Sequence, residues 1–215
     1  MTITFAASIA SALHQAILDA PHFRRWLEHS RAAFDLRAVH VRDVGMFGPR
    51  VGFIFVEAEA LHDGQAVPKY AFLRGNSASI LVVLKCPGMP DRTVLTCEPR
   101  LPIGRGDLLS LPAGMVDGGT FESTALRELG EEIGTDLPVT TSNLVELATT
   151  WTSPGGCDEA IALYAAEIDA TPALIAALEG RHTGNASEHE HIIVRVIELD
   201  AIPQLGMTDA KTLLS

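Results

Sequence analysis

Basic residues are scarce in this chain: 16 lysines and arginines stand against 27 aspartates and glutamates, for a formal net charge of −11. A surface of that sign repels nucleic acid and anionic membrane, so neither is expected as a partner. An anionic ligand would need local help from a metal ion and individually placed arginines. Cysteine is scarce as well. Cys86, Cys97 and Cys157 are odd in number and widely separated, with no C-x-x-C. That pattern excludes a disulfide framework and points to thiols in a reducing compartment. No apolar run approaches the ~18 residues that suggest a membrane span. The stretch from Met1 to Leu13 lacks both a basic start and a clear cleavage pattern, so the expectation is a cytoplasmic protein. Internal repeats and low-complexity tracts are also missing.

What is present suits a folded core. Hydrophobic residues make up 47% of 215 positions, enough for one large domain or one domain with a small appendage. Helical spacing runs over 9–34, with Leu13, Ile17 and Leu18 forming one stripe, Phe23, Trp26 and Leu27 another, and Pro21 between them. Strands are expected at 50–60, 70–74, 78–86, 92–99, 144–151, 160–168 and 191–199. Ile80 to Leu84 is apolar at every position, as a central strand covered on both faces would be. Helices are expected at about 121–133, from Pro172 to Leu178, and from about Thr208. Strands mixed with a few helices define an α/β protein.

The segment from Arg127 to Gly134, Arg-Glu-Leu-Gly-Glu-Glu-Ile-Gly, carries the chemistry. At about 100° per residue, Glu128 and Glu132 lie one turn apart on the same helix face, flanked by Glu131. Like charges at that spacing repel and weaken a helix by a few tenths of a kcal/mol per pair. A divalent cation reverses the sign of that repulsion, and Mg²⁺ prefers oxygen ligands shared with substrate phosphates. A Glu-rich helix face alone is ordinarily solvated surface. In front of this one, however, runs Leu111-Pro112-Ala113-Gly114-Met115-Val116-Asp117-Gly118-Gly119. Such a glycine-rich loop lets backbone come close to a ligand and turns free N–H groups toward it. Phosphate loop and carboxylate cluster together form a joint signal.

Residues 114–134 resemble the Nudix box, G-x5-E-x7-R-E-U-x-E-E-x-G-U. Arg127, Glu128, Leu129, Glu131, Glu132 and Gly134 match its second half. The first half departs: Gly114 lies one residue too close to Arg127, Thr120 stands nearest the early glutamate, and Thr135 replaces an aliphatic residue. Glu122 or Asp117 are the candidates to replace that glutamate. The Leu-Pro-Ala-Gly ending at Gly114, Arg100 on the preceding strand, and the loop Ser153-Pro154-Gly155-Gly156-Cys157-Asp158-Glu159 are similar to the ADP-ribose and ADP-sugar pyrophosphatase branch. Asp43 to Gly48, Thr183-Gly184 with Glu188-His189-Glu190, and Thr208 to Lys211 resemble the plant-type ADP-sugar diphosphatases within it.

The resemblance implies an α/β/α sandwich of Nudix type over 69–215, with a smaller N-terminal helix-plus-strand portion over 1–68 that supports a homodimer and the substrate pocket. It implies Mg²⁺, or Mn²⁺, held by Glu128, Glu131, Glu132 and the Ala113 carbonyl, with Arg127 in an orienting role. Arg100, Arg74, Gly114 and Glu159 would contact substrate. The base would come from a late loop, Glu190 or Glu188, with Glu131 as a further partner. Trp151 and Phe47 are core residues or base-stacking ones. His189 and His191 form an H-x-H pair, with His182 as the nearest further ligand, which argues against structural zinc. Ser110 stands where the branch usually has a glutamate. The implied activity is hydrolysis of ADP-sugars, ADP-glucose and ADP-ribose foremost, to AMP and sugar 1-phosphate. The alternatives are a catalytically weak ADP-ribose sensor and a pyrophosphatase for other nucleoside diphosphate derivatives.

Overall fold

Pro21 starts a helix. In the computed structural model, which describes residues 1–184 and 190–215, the N-terminal helical spacing resolves into α1 (His14–Asp19) and α2 (Pro21–Ala33). Pro21 occupies the first turn of α2, where its missing N–H costs nothing. The chain divides into two units, Met1–Asn76 with Trp151–Ala160, and Ser77–Thr150 with Ile161–Ser215.

The first unit contains a five-stranded sheet in the order β1-β2-β3-β4, with β5 paired to β3. Its strands are β1 (Thr2–Phe5), β2 (Asp35–Phe47), β3 (Arg50–His62), β4 (Gln65–Ala66) and β5 (Tyr70–Leu73). Val39 and Val41 of β2, Ile54 and Val56 of β3, and Leu73 share a buried cluster with Ile17 of α1 and Phe23 of α2. Strands β1 and β2 lie outside the sequence expectation. Register shifts at Leu36/Ala38, Val41/Asp43 and Gly45/Met46 break the alternation that would have announced β2.

The second unit is built on an eight-stranded mixed sheet, β10-β11-β6-β7-β13-β12, with β8 paired to β7 and β9 to β6. Its strands are β6 (Ser77–Lys85), β7 (Arg92–Arg100), β8 (Arg105–Ser110), β9 (Ala113–Met115), β10 (Val145–Trp151), β11 (Ala160–Asp169), β12 (His182–Thr183) and β13 (Ile192–Glu198). The helices are α3 (Phe121–Glu132), α4 (Pro172–Leu178) and α5 (Ala210–Leu214). On β6, Ala78, Ile80, Val82 and Leu84 join the main core, where they meet Ala125 and Leu129 of α3 and Leu178 of α4. Ser77, Ser79 and Val83, on the alternate face, are buried too, as a central strand requires. The expected α/β architecture of Nudix type is present, and the expected strands and helices match within a few residues.

Candidate active site

Helix α3 begins at Thr120, whose hydroxyl accepts the Ser123 N–H while the Ser123 hydroxyl accepts the Thr120 N–H, a reciprocal cap. The position nearest the box's early glutamate is therefore used to start the helix. Gly118 and Gly119 just before it have φ of +82° and +89°, a conformation costly for any residue with a Cβ.

The buried face of α3 reads Thr124, Ala125, Glu128, Leu129 and Glu132. Two carboxylates thus enter the core side by side with leucine and alanine, which is unusual unless something compensates them. Burial, with further repulsion from Glu131 and Glu190, lifts the Glu128 carboxyl to about 7 despite the Arg127 guanidinium beside it. Glu132 is raised well above the ordinary carboxylate range, first by burial and then by the charges of Glu98 and Glu128. Glu98, buried on β7, is raised by burial and by Glu190, against the pull of Arg100 and Lys211.

Local contacts fix these groups. The Ala113 N–H donates to Glu132 at 3.1 Å. Gly114 lies so close to Glu128 that an added Cβ would meet its carboxyl group, so a larger residue there requires that carboxyl to move. Arg127 forks across the cluster, reaching Glu128 at 2.6 Å, Glu131 at 2.9 Å and the Met115 carbonyl at 3.0 Å. Arg100 donates to Glu98 at 2.5 Å.

The structure thus brings together Ala113, Gly114, Glu128, Glu131, Glu132 and Glu190 from the sequence expectation, with Arg100 alongside through Glu98. Glu188 and His189 lie outside the described residues. Arg74 and Glu159 belong to the first unit, where they pair with each other at 3.5 Å. Asp158 there accepts the Arg74 and Gly75 N–H groups and a bond from Arg25. Trp151 and Phe47 are exposed rather than core residues, and Phe47 packs edge-on against Phe53. Ser110 is buried and shares a 3.2 Å hydrogen bond with Thr96.

Glu98 and Lys211 carry no role in the sequence expectation. Alternation along β7 puts residues 96, 98 and 100 on one face, so the signal that marks Arg100 extends to Glu98 two positions back.

Oxygen donors of one sign, desolvated and mutually repelling, fit a hard divalent cation. Among the described residues, no three His, Cys, Asp or Glu side chains form a ready metal-holding group as they stand. Arg127 pairs with oxygens of both Glu128 and Glu131 in this arrangement.

Residues 76–214 match the NUDIX domain, and the chain belongs to the Nudix hydrolase family, whose members generally use divalent metal ions. It is 32% identical over 234 residues to Nudix hydrolase 14, chloroplastic, of Arabidopsis thaliana, covering 99% of this chain and 74% of that one. It is 42% identical over 92 residues to the ADP-ribose pyrophosphatase of Haemophilus influenzae, covering 42% of this chain and 38% of the relative. A solved structure of an ADP compounds hydrolase aligns with 62% of this chain and 66% of its own, at 17% identity and a TM-score of 0.45. Among the described residues, no helix is long and apolar enough to cross a membrane.

Proposed function

We propose that this protein hydrolyses the diphosphate linkage of ADP-sugars, with ADP-glucose and ADP-ribose as leading substrates, to AMP and a sugar phosphate. The observation that carries the reading is that Glu132 and Glu128 of α3 meet the Ala113 and Gly114 backbone, with the charges of Glu98, Glu131 and Glu190 acting on them, in a chain of the Nudix hydrolase family. The ADP-ribose pyrophosphatase relatives support the adenine-nucleotide class.

Glu128, Glu131, Glu132 and the Ala113 carbonyl would hold Mg²⁺ or Mn²⁺. When bound, such an ion neutralises phosphate oxygens and acidifies water, worth several kcal/mol at the transition state. The chain's own groups do the rest. Glu190, at the entry to β13, accepts a proton from the attacking water. Arg100, leaving Glu98, forks onto phosphate oxygens and orients the diphosphate. Arg127 fixes the α3 carboxylates against the loop. For Arg74, Glu159 and Glu188 the proposed roles stand on the sequence resemblance alone, as does a homodimer.

The test is AMP release from a panel of nucleoside diphosphate sugars and dinucleotides, with and without Mg²⁺. Metal-dependent release from ADP-sugars is expected. Tight ADP-ribose binding with no AMP release under any metal would replace this reading with that of a sensor.

A further inference from the structure

We propose that the C-terminal turn Asp209–Thr212 is a positioning clamp for the acidic site, acting through Thr212 on the backbone that carries Ala113. The inference rests on the hydrolase reading only for its functional consequence.

Strand β8 ends at Ser110, and the next residues leave the ladder before β9 begins at Ala113. Four polar backbone groups across that gap are nevertheless held, by four different elements. The Ser110 carbonyl accepts from the Thr96 hydroxyl of β7 at 3.2 Å. The Pro112 carbonyl accepts from the Ser79 hydroxyl at 3.0 Å and the Ile80 N–H at 3.1 Å, both on β6. The Ala113 N–H goes to Glu132 of α3. Pro112 has no N–H, so Leu111 carries the one remaining donor, and that donor reaches the Thr212 hydroxyl of α5 at 2.9 Å.

The hydroxyl is itself oriented. Asp209 accepts from the Thr212 hydroxyl at 2.6 Å and from the Thr212 N–H at 3.0 Å. With its proton committed to Asp209, the oxygen turns a lone pair toward Leu111. Lys211 donates to the other Asp209 oxygen at 2.9 Å, and the side chains of Lys211 and Asp209 are only 12% and 14% exposed. Lys211 also acts on Glu98, so the turn touches the carboxylate cluster electrostatically as well as through the backbone. The path runs Lys211, Asp209, Thr212, Leu111, then two residues on to Ala113 and its bond to Glu132. Partners outside a metal's own ligands commonly set its affinity in this way. Thr212 is thus a positioning residue, several bonds away from any reacting atom.

The experiment compares Thr212→Val, which keeps the shape without the hydroxyl, with Thr212→Ser, which keeps the hydroxyl. In metal-free protein, amide exchange over 111–115 should rise in T212V and remain as in the parent in T212S. Mn²⁺ affinity should fall about tenfold or more in T212V and be restored in T212S. A lowered Tm with unchanged Mn²⁺ affinity would reduce α5 to a stability element and overturn the proposal. So would unchanged exchange over 111–115. Should T212V fail to fold, Asp209→Asn is measured by the same two readouts, with weaker Mn²⁺ binding and faster exchange expected and parental values refuting the clamp. The exchange measurement needs neither metal nor substrate. A parent protein that binds no Mn²⁺ and releases no AMP would therefore sink the hydrolase reading while leaving the clamp to be judged on exchange.

Discussion

The cores of the two units are built from similar aliphatic residues but treat polar groups differently. In the first, the buried polar side chains are His22 and Glu159, and the cluster around Ile17, Phe23, Ile54 and Leu73 is otherwise apolar. In the second, Ser77, Ser79, Thr93, Thr96, Ser110, Thr124 and Thr212 are buried together with Glu98, Glu128 and Glu132. The hydroxyls of Ser79, Thr96 and Thr212 help pin a backbone segment that leaves its sheet. The carboxylates put like charges where water cannot screen them, and a metal-free core so arranged is under electrostatic stress. The difference separates an almost wholly apolar core from one that holds buried carboxylates, which the proposed metal would compensate.

Removing a charge from the second core should have the largest effect. Glu132→Gln keeps the acceptor for Ala113 but removes a proposed cation ligand, so turnover should fall by about 10³-fold or more. Thermal unfolding of the metal-free protein should move upward in the same variant. Near-parental kcat would end the metal assignment for Glu132. Next in size, Glu190→Gln should lower kcat by about 10²–10⁴-fold with a smaller change in KM, while a change confined to KM would reassign Glu190 to substrate contact.

Adding the missing charge is the converse test. Mn²⁺ at about 100 times its Kd should stabilise the second unit by about 2.7 kcal/mol, visible as slower amide exchange there and not in the first unit. Equal protection of both units would erase the contrast.

The smallest effect is in acid, where the two cores should respond with opposite sign. Glu128 is raised from 4.5 to about 7, so its contribution to stability is complete below 4.5 and is lost as pH rises through about 7. His22 is lowered from 6.5, chiefly by burial, so its contribution is complete above 6.5 and is lost as pH falls through the depressed value. Between pH 4.5 and 6.5, acid should therefore strengthen the second unit and weaken the first. Exchange rates followed unit by unit would check this, with His22→Gln flattening the response of the first unit and Glu128→Gln that of the second. Parallel slopes in the parent protein would refute it.

How much of this is legible in the sequence follows from the range of the interactions. Glu128 and Glu132 announce themselves because helical spacing is local and regular, and Arg127 pairs with Glu131 on the same grounds. Strand β6 is legible because the run from Ile80 to Leu84 is apolar throughout. Strand β2 is not, since its bulges shift the period. Strand β8 is short, and Arg105, Gly106 and Asp107 at its start are exposed. Glu98 escapes notice although its strand is legible, because a single carboxylate beside a proline and an arginine looks like a strand end. Thr212 leaves no sequence signal at all: its partner Leu111 lies 101 residues away, and only tertiary structure brings them together.

Gly114 and Glu128 bind the evolutionary fates of two positions to each other. With the carboxyl group lying where a methyl at 114 would sit, alanine there displaces the end of the Glu128 side chain from its present seat. A side chain at 114 and the present seat of the Glu128 carboxyl compete for one volume, so a shorter acid such as aspartate at 128 would make room for it.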